Sequence, residues 1–428
     1  MMTRNDVAFS DVSALEVLDS RGNPTLQVTL TDRDGVRYVA GVPSGASTGT
    51  REAVELRDGD DKRFGGKGVM HAVANVDGEL ADLLRSRTWA SLADLDAAMI
   101  ELDGTPTKSR LGANALVGVS MAAARAFAGG DPLWVSLRPA DVEARLPVPH
   151  LNVLNGGVHA PNDLDFQEFM IAPVGAPSFP EAVRAGAAVY AALRSLLRTR
   201  GDATGLGDEG GFAPDIAQPE DVLRLIVQAI GDAGYPAGAS GVAIALDPAA
   251  SEFYRDGSYH VAGETLSSDD MIARYEQIAA DFPVWSLEDG LAEGDWDGWE
   301  RLTARLGERL QLVGDDIFVT NPAIITEAIG RGVGNSSLIK LNQIGTVTET
   351  LDAQRISREA GYTQMVSHRS GETPDPFIAD LTVATGTGQL KSGAPARGER
   401  VAKYNRLLEI AATAPELPYG LTSEARLR

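Results

Sequence analysis

Cysteine is absent from the 428 residues, which excludes disulfides, thiolate metal sites and cysteine nucleophiles. Any metal must be held by oxygen or imidazole ligands, and only 5 histidines could supply the latter. Basic residues are scarce as well: 38 Lys and Arg stand against 60 Asp and Glu, a net charge of -22. That balance argues against a nucleic-acid partner, because phosphate backbones are bound largely through Lys and Arg. No run approaches the ~20 apolar residues that span a bilayer. The opening MMTRNDVAFSDVS also lacks a signal peptide's apolar centre. The expectation is a cytoplasmic protein with no nucleic-acid and no membrane partner. Aromatics make up only 6%, whereas 46 glycines and 43% hydrophobic residues suit a packed α/β protein with many tight turns.

What is present is a series of short apolar segments, each ending in charge. They are VAIALD at Asp247, VWSLED with Glu288, QLVGDD with Asp315, SLIK at Lys340, QMVSH at His368 and GQLK at Lys391. They recur every 23 to 41 residues, most separated by a helical stretch, which is the rhythm of a βα repeat. A barrel of parallel strands puts their C-terminal ends on one face. In VAIALD, Ala243 and Ala245 share the face of Asp247, while Val242, Ile244 and Leu246 point toward the helices. Three carboxylates and two lysines then converge on one mouth. Unpaired buried ions cost several kcal/mol each, on the order of a whole domain's margin. The mouth is expected to be an active site.

Ahead of this repeat, residues 9–42 read as strands joined by turns, followed by the small-residue loop PSGASTGT (43–50). Helical patterns cover about 67–86, 91–101 and 112–128. The spacing predicts an α/β chain with an N-terminal α+β domain over 1–130 and a βα-barrel domain over 140–428. Between LPVPHLNVL and LDFQEFMIAPV lies only NGGVHAPND, so these strands are expected to pair antiparallel. Helical stretches over 180–200 and 218–233 flank the loop GLGDEGGFAP.

Asp247, Glu288 and Asp315 are hard oxygen donors at three successive strand ends, which suits Mg²⁺. Helix capping would not place all three at one depth. Lys340 and Lys391, brought close and desolvated, would depress one another's pKa and make a usable base; simple charge balance is the other reading. In SHRSGE (367–372), Arg369 can fork onto phosphate or carboxylate, with Ser370 and backbone N–H groups completing an anion cradle. Glu209 in GDEGG and His159 in NGGVHAPND have bland alternatives, an acidic turn and a solvated loop. Glycine hinges around His159 suggest a lid. Gln167-Glu168 puts one of its pair inward, and Trp285, Trp296 and Trp299 read as packing residues. Together these parts describe metal-assisted proton abstraction beside a carboxylate, with a lysine base.

The stretches LDSRGNPT, VPSGASTG, ELRDGD, KSRLGANALVGVS, QEFMIAP, GLGDEGGFAP, IKLNQIGTVTE, MVSHRSGET and GQLKSGAPARGERVAKYN carry a resemblance. The chain resembles the enolase (phosphopyruvate hydratase) family along nearly its whole length. The resemblance implies reversible dehydration of 2-phospho-D-glycerate to phosphoenolpyruvate with two Mg²⁺ ions, the second arriving with substrate. It implies that Asp247, Glu288 and Asp315 hold the first ion and that Ser47 joins the second. Lys340 would be the base at C2, and Glu209, with Glu168 beside it, the acid at the C3 hydroxyl. Lys391 would face the substrate carboxylate, and Arg369 and Ser370 the phosphate, with His159 closing over it and His368 nearby. The family fold is a small α+β domain and a barrel that starts ββαα, and its members are homodimers or octamers. Val158 and Pro161 depart from the family's small or polar lid residues, Pro248 replaces a usual valine, and His150 stands where methionine is common. These departures leave an alternative open, a paralogue of carboxyphosphonoenolpyruvate synthase type in phosphonate or phosphinate biosynthesis. A surface-binding role such as plasminogen capture would use C-terminal lysines, but this sequence ends Ala-Arg-Leu-Arg.

Overall fold

The computed structural model describes residues 6–46 and 48–422. Its first unit is an antiparallel meander of β1 (Phe9–Leu18), β2 (Pro24–Asp32) and β3 (Arg37–Gly41). Aspartates close both turns. Asp19 Oδ1 accepts the backbone N–H of Arg21 and Asn23, and Asp32 Oδ1 accepts those of Asp34 and Val36. The helix Ala113–Ala128 lies across the meander, apolar on nearly every side and buried accordingly. A Cβ on Gly118 would stand 2.6 Å from Val28 Cγ2, so only glycine lets helix and sheet approach this closely.

The second unit is a closed eight-stranded barrel. In chain order, β4 (Val148–Asn155) and β5 (Glu168–Ala172) come first, then helices Phe179–Arg200 and Pro219–Asp232, then β6 (Ala243–Asp247). That is the ββαα start. β5 runs antiparallel to both β4 and β6, as the short link before it requires, while the remaining neighbours are parallel. One consequence shapes the site. Because β5 is reversed, its first residue lies at the pole where the other strands end, and Glu168 pairs with Asp247 on one side and Asn155 on the other.

The wide interval after Asp247 holds no longer helix. It holds a turn (Ala250–Phe253) and a small meander of β7 (Tyr254–Arg255), β8 (Ser258–Val261) and β9 (Glu264–Leu266), which the spacing did not reveal. Regular βα units follow, with strands β10 (Val284–Glu288), β11 (Gln311–Gly314), β12 (Ser336–Ile339), β13 (Thr363–Ser367) and β14 (Gln389–Lys391). Side-chain caps start two of their helices. Ser267 and Asp270 form a capping box, and Asn321 caps a helix that Pro322 opens and Gly332, at φ 71, closes.

Small residues inside the barrel, Ala243 and Ala245, leave room for Trp285, whose ring lies 5.4 Å from that of His150. Also inside the barrel, Gln311 and Gln389 exchange amide hydrogen bonds of 2.9 Å in both directions. The barrel's middle is thus neutral, and charge is confined to the mouth. Among the described residues no helix is long and apolar enough to cross a membrane.

Candidate active site

Each strand end delivers its charge to the mouth, and these side chains are buried except that of Lys340, which is partly buried. Lys391 Nζ lies 2.8 Å from Asp247 Oδ2, 2.7 Å from Glu288 Oε1 and 3.1 Å from Glu168 Oε1. Burial alone would lower its pKa, but three carboxylates outweigh burial and hold it well above the ordinary lysine value. Lys340 Nζ pairs with Asp315 Oδ2, whose other oxygen accepts Gln343 Nε2 at 2.8 Å. For Lys340 too, burial pulls down and the Asp315 carboxylate pushes up, with a net rise. The expected mutual depression of the two lysines is therefore corrected. Each ammonium has its own carboxylate, and that attraction exceeds the repulsion between them.

The opposite wall is built differently. Glu209 accepts Asn152 Nδ2 at 3.0 Å, with His368 Nε2 at 3.2 Å and His159 Nδ1 at 3.8 Å. Burial would raise its pKa, but the two imidazoles and Arg400 hold it well below the usual carboxylate range. Glu168 has the reverse outcome. Burial, then the charge of Glu209, push it well above that range, and its Oε2 has no hydrogen-bond partner. His368 is pushed down to about 3, first by burial, and so is neutral.

Arg369 lies in the turn after β13. Its guanidinium forks onto Glu52 at 3.0 and 3.2 Å and donates to Asn342 Oδ1 at 3.0 Å. The loop from Pro43 passes so close that a Cβ on Gly45 would stand 2.1 Å from Arg369 Nη2. Ser370 is buried beside it, and Ser47 lies outside the described residues. Sequence reasoning missed Glu52, though a buried arginine calls for an anion. It also missed Asp289, which sits at φ 42 and whose two carboxylate oxygens accept the backbone N–H of Asp315 and of Asp316, at 2.9 Å each. The cavity left among these charges is only about 20 Å³, room for about one water, so substrate entry requires the surrounding loops to part.

The donors suit a hard divalent cation. They are carboxylates converging from β6, β10 and the turn after β11, and Glu288 Oε2 is buried without a partner. An ammonium already occupies the position between Asp247 and Glu288. Among the described residues, the acidic or imidazole sets whose ligand atoms lie within 4.8 Å of one another are His159 with Glu168 and Glu209, and Asp289 with Asp315 and Asp316; Asp247, Glu288 and Asp315 are not drawn together that tightly.

Known proteins share this layout. Residues 9–135 match the N-terminal domain of enolase, and residues 143–418 match its C-terminal TIM barrel domain. The chain belongs to the enolase family. It is 56% identical over 403 residues to the enolase of Rubrobacter xylanophilus, covering 93% of both chains. It is 57% identical over 401 residues to that of Acidothermus cellulolyticus, again covering 93% of both. The family and the two-part fold anticipated from the motifs are both borne out.

Proposed function

We propose that this chain is the glycolytic hydro-lyase of its family, interconverting 2-phospho-D-glycerate and phosphoenolpyruvate. What carries the reading is the opposition of two walls across a small cavity, lysines and carboxylates on one and Glu209 among imidazoles on the other. Lys340 removes the C2 proton. It carries a proton while paired with Asp315, so it becomes a base only when that pairing is relieved. Lys391 orients the substrate carboxylate. Glu209 and Glu168 serve the departing C3 hydroxyl as a coupled pair whose environments push their pKa values apart. Glu168 is the member whose surroundings favour the protonated form. Arg369 and Ser370 bind phosphate, and His159 covers it.

Asp247, Glu288 and Asp315 would hold Mg²⁺, with Ser47 completing a second ion's shell as substrate arrives. Bound there, the ions supply Lewis-acid neutralisation of the carboxylate dianion formed when C2 loses its proton. Relatives that bear the enolase name over 93% of the chain favour this reading over the phosphonate-type alternative. We further propose a cytoplasmic homodimer or octamer with units over 1–130 and 140–428. Leu15 and Leu18 on β1, 61% and 59% exposed, offer an apolar surface for self-association. The deciding assay follows phosphoenolpyruvate formed from 2-phosphoglycerate with Mg²⁺. Absence of turnover by pure, folded protein would refute the reading.

A further inference from the structure

Arg400 touches none of the reacting groups named above and acts on Glu209 only through its charge, yet it is fully buried and packed against the site. It lies in the first turn of the helix Gly398–Thr413, where a cation opposes the helix dipole, so helix stability does not explain its place. Its guanidinium ties three segments together. Nη1 donates to His368 Nδ1 at 2.6 Å and to the Arg369 carbonyl at 2.5 Å. Nη2 donates to the Ser370 carbonyl at 2.6 Å, and to the Asp208 carbonyl and Ser20 Oγ at 3.2 Å each.

A guanidinium has N–H groups and no lone pair to offer, so it can only donate. His368 Nδ1 must therefore accept, and the ring's single proton is on Nε2. That nitrogen faces Glu209 Oε2 at 3.2 Å, off the line of an ideal hydrogen bond in this state, as is common before substrate tightens a site. We propose that Arg400 is a positioning residue that locks His368 as the neutral Nε2–H tautomer and thereby presents a donor to Glu209. Were Nδ1 to carry the proton instead, Nε2 would turn a lone pair toward the carboxylate and Glu209 would lose the imidazole donor, keeping that of Asn152 Nδ2. The other charged groups acting on the ring are Glu209 and, more weakly, Lys391. One turn along the same helix, Lys403 Nζ holds Glu372 Oε2 at 2.8 Å, and Glu372 Oε1 accepts the Arg369 backbone N–H at 3.1 Å. The helix therefore grips the SHRSGE turn at two points.

The proposal deepens the role given to Glu209, but its first test does not depend on that role. Nitrogen-15 spectra of histidine-labelled wild-type protein should show His368 as the neutral Nε2–H form from pH 5 to 8. A Nδ1–H or charged ring overturns the proposal, whatever the catalytic activity. Arg400→Met should then lower kcat on 2-phosphoglycerate about a hundredfold with KM nearly unchanged. It should also add an acid limb to the kcat profile, because Nδ1 is freed to take a proton. Arg400→Lys, which keeps a donor and the charge, should restore the profile's shape and most of kcat. If Arg400→Met changes only yield or melting temperature, with kcat and its pH profile intact, the residue is structural and the proposal fails. If Arg400→Met does not fold, the wild-type tautomer and the Arg400→Lys profile decide.

Discussion

The two walls of the mouth solve the problem of buried charge in different ways. On the lysine wall each of the three strand-end carboxylates meets an ammonium, as in Lys391 with Asp247 and Glu288 or Lys340 with Asp315. On the facing wall Glu209 leans on an amide and an imidazole, Asn152 and His368, with the nearest full cation set behind the ring. A carboxylate paired with an ammonium can trade one cation for another at little cost in net charge. A carboxylate held by neutral donors cannot, but any proton it gains or loses is felt undiminished by whatever lies in the cavity. The first wall is suited to metal exchange and base chemistry, the second to handling a proton.

This contrast can be broken most completely by taking away divalent cations. Excess chelator should abolish turnover while leaving the fold intact by circular dichroism, because the barrel's core is neutral and apolar. Full activity in chelator would remove the metal assignment. Next in size are the two proton-transfer variants, each expected to cost ~10²–10⁴-fold in dehydration. Solvent exchange of the C2 hydrogen separates them. Lys340→Ala should lose exchange and dehydration together, whereas Glu209→Gln should lose dehydration yet keep exchange, since the carbanion can form and return. Near-wild-type exchange by Lys340→Ala would mean the base is elsewhere.

A smaller effect sharpens the lysine wall. Asp289 clamps the turn that presents Asp315 by accepting two successive backbone N–H groups, and an asparagine can accept only one of them well. Asp289→Asn should therefore raise the Mg²⁺ dissociation constant about 10–100-fold, in line with other outer-shell changes, as read by calorimetry. Unchanged affinity would show that the turn holds its shape without the clamp.

Much of this was legible because it depends on local pattern. Strand ends announce themselves when an apolar run meets a charge, and the reversed β5 followed from a link too short to cross over. The meander β7–β9 was not legible, because strands of two to four residues carry no usable periodicity. The electrostatics failed for another reason. Two lysines can be counted in a sequence, but which carboxylate each one meets is set by the barrel's register, and those contacts reversed the expected pKa direction of Lys340. Arg400 could have been suspected from its helix alone, as a cation in the first turn of GERVAKYN, yet its partners come from positions 20, 208 and 368–370. Tertiary contact alone brings these together.

The smallest expected effect concerns the loop of His159, proposed to close over the substrate phosphate. His159 is buried, its pKa lowered first by burial, at the end of a short turn (Gly157–His159). The segment is tied on both sides. Asp208 donates its backbone N–H to the His159 carbonyl at 3.1 Å, and Asn162 Nδ2 donates to the carbonyls of Asn155 and Pro214 at 3.0 and 2.9 Å. Between those ties sits Pro161, which fixes its own φ and holds Ala160 extended, at φ -151 and ψ 143. The open loop thus has fewer conformations to lose when it closes. Replacing proline by glycine restores them, a change of roughly 0.4–1 kcal/mol when the native geometry is compatible. Because closure precedes chemistry, that converts to a fall in kcat/KM on 2-phosphoglycerate of about two- to fivefold for Pro161→Gly, with faster amide exchange confined to residues 156–163. A rate within error of wild type, with unaltered exchange, would show that the two ties alone set the lid and that the proline contributes nothing to closure.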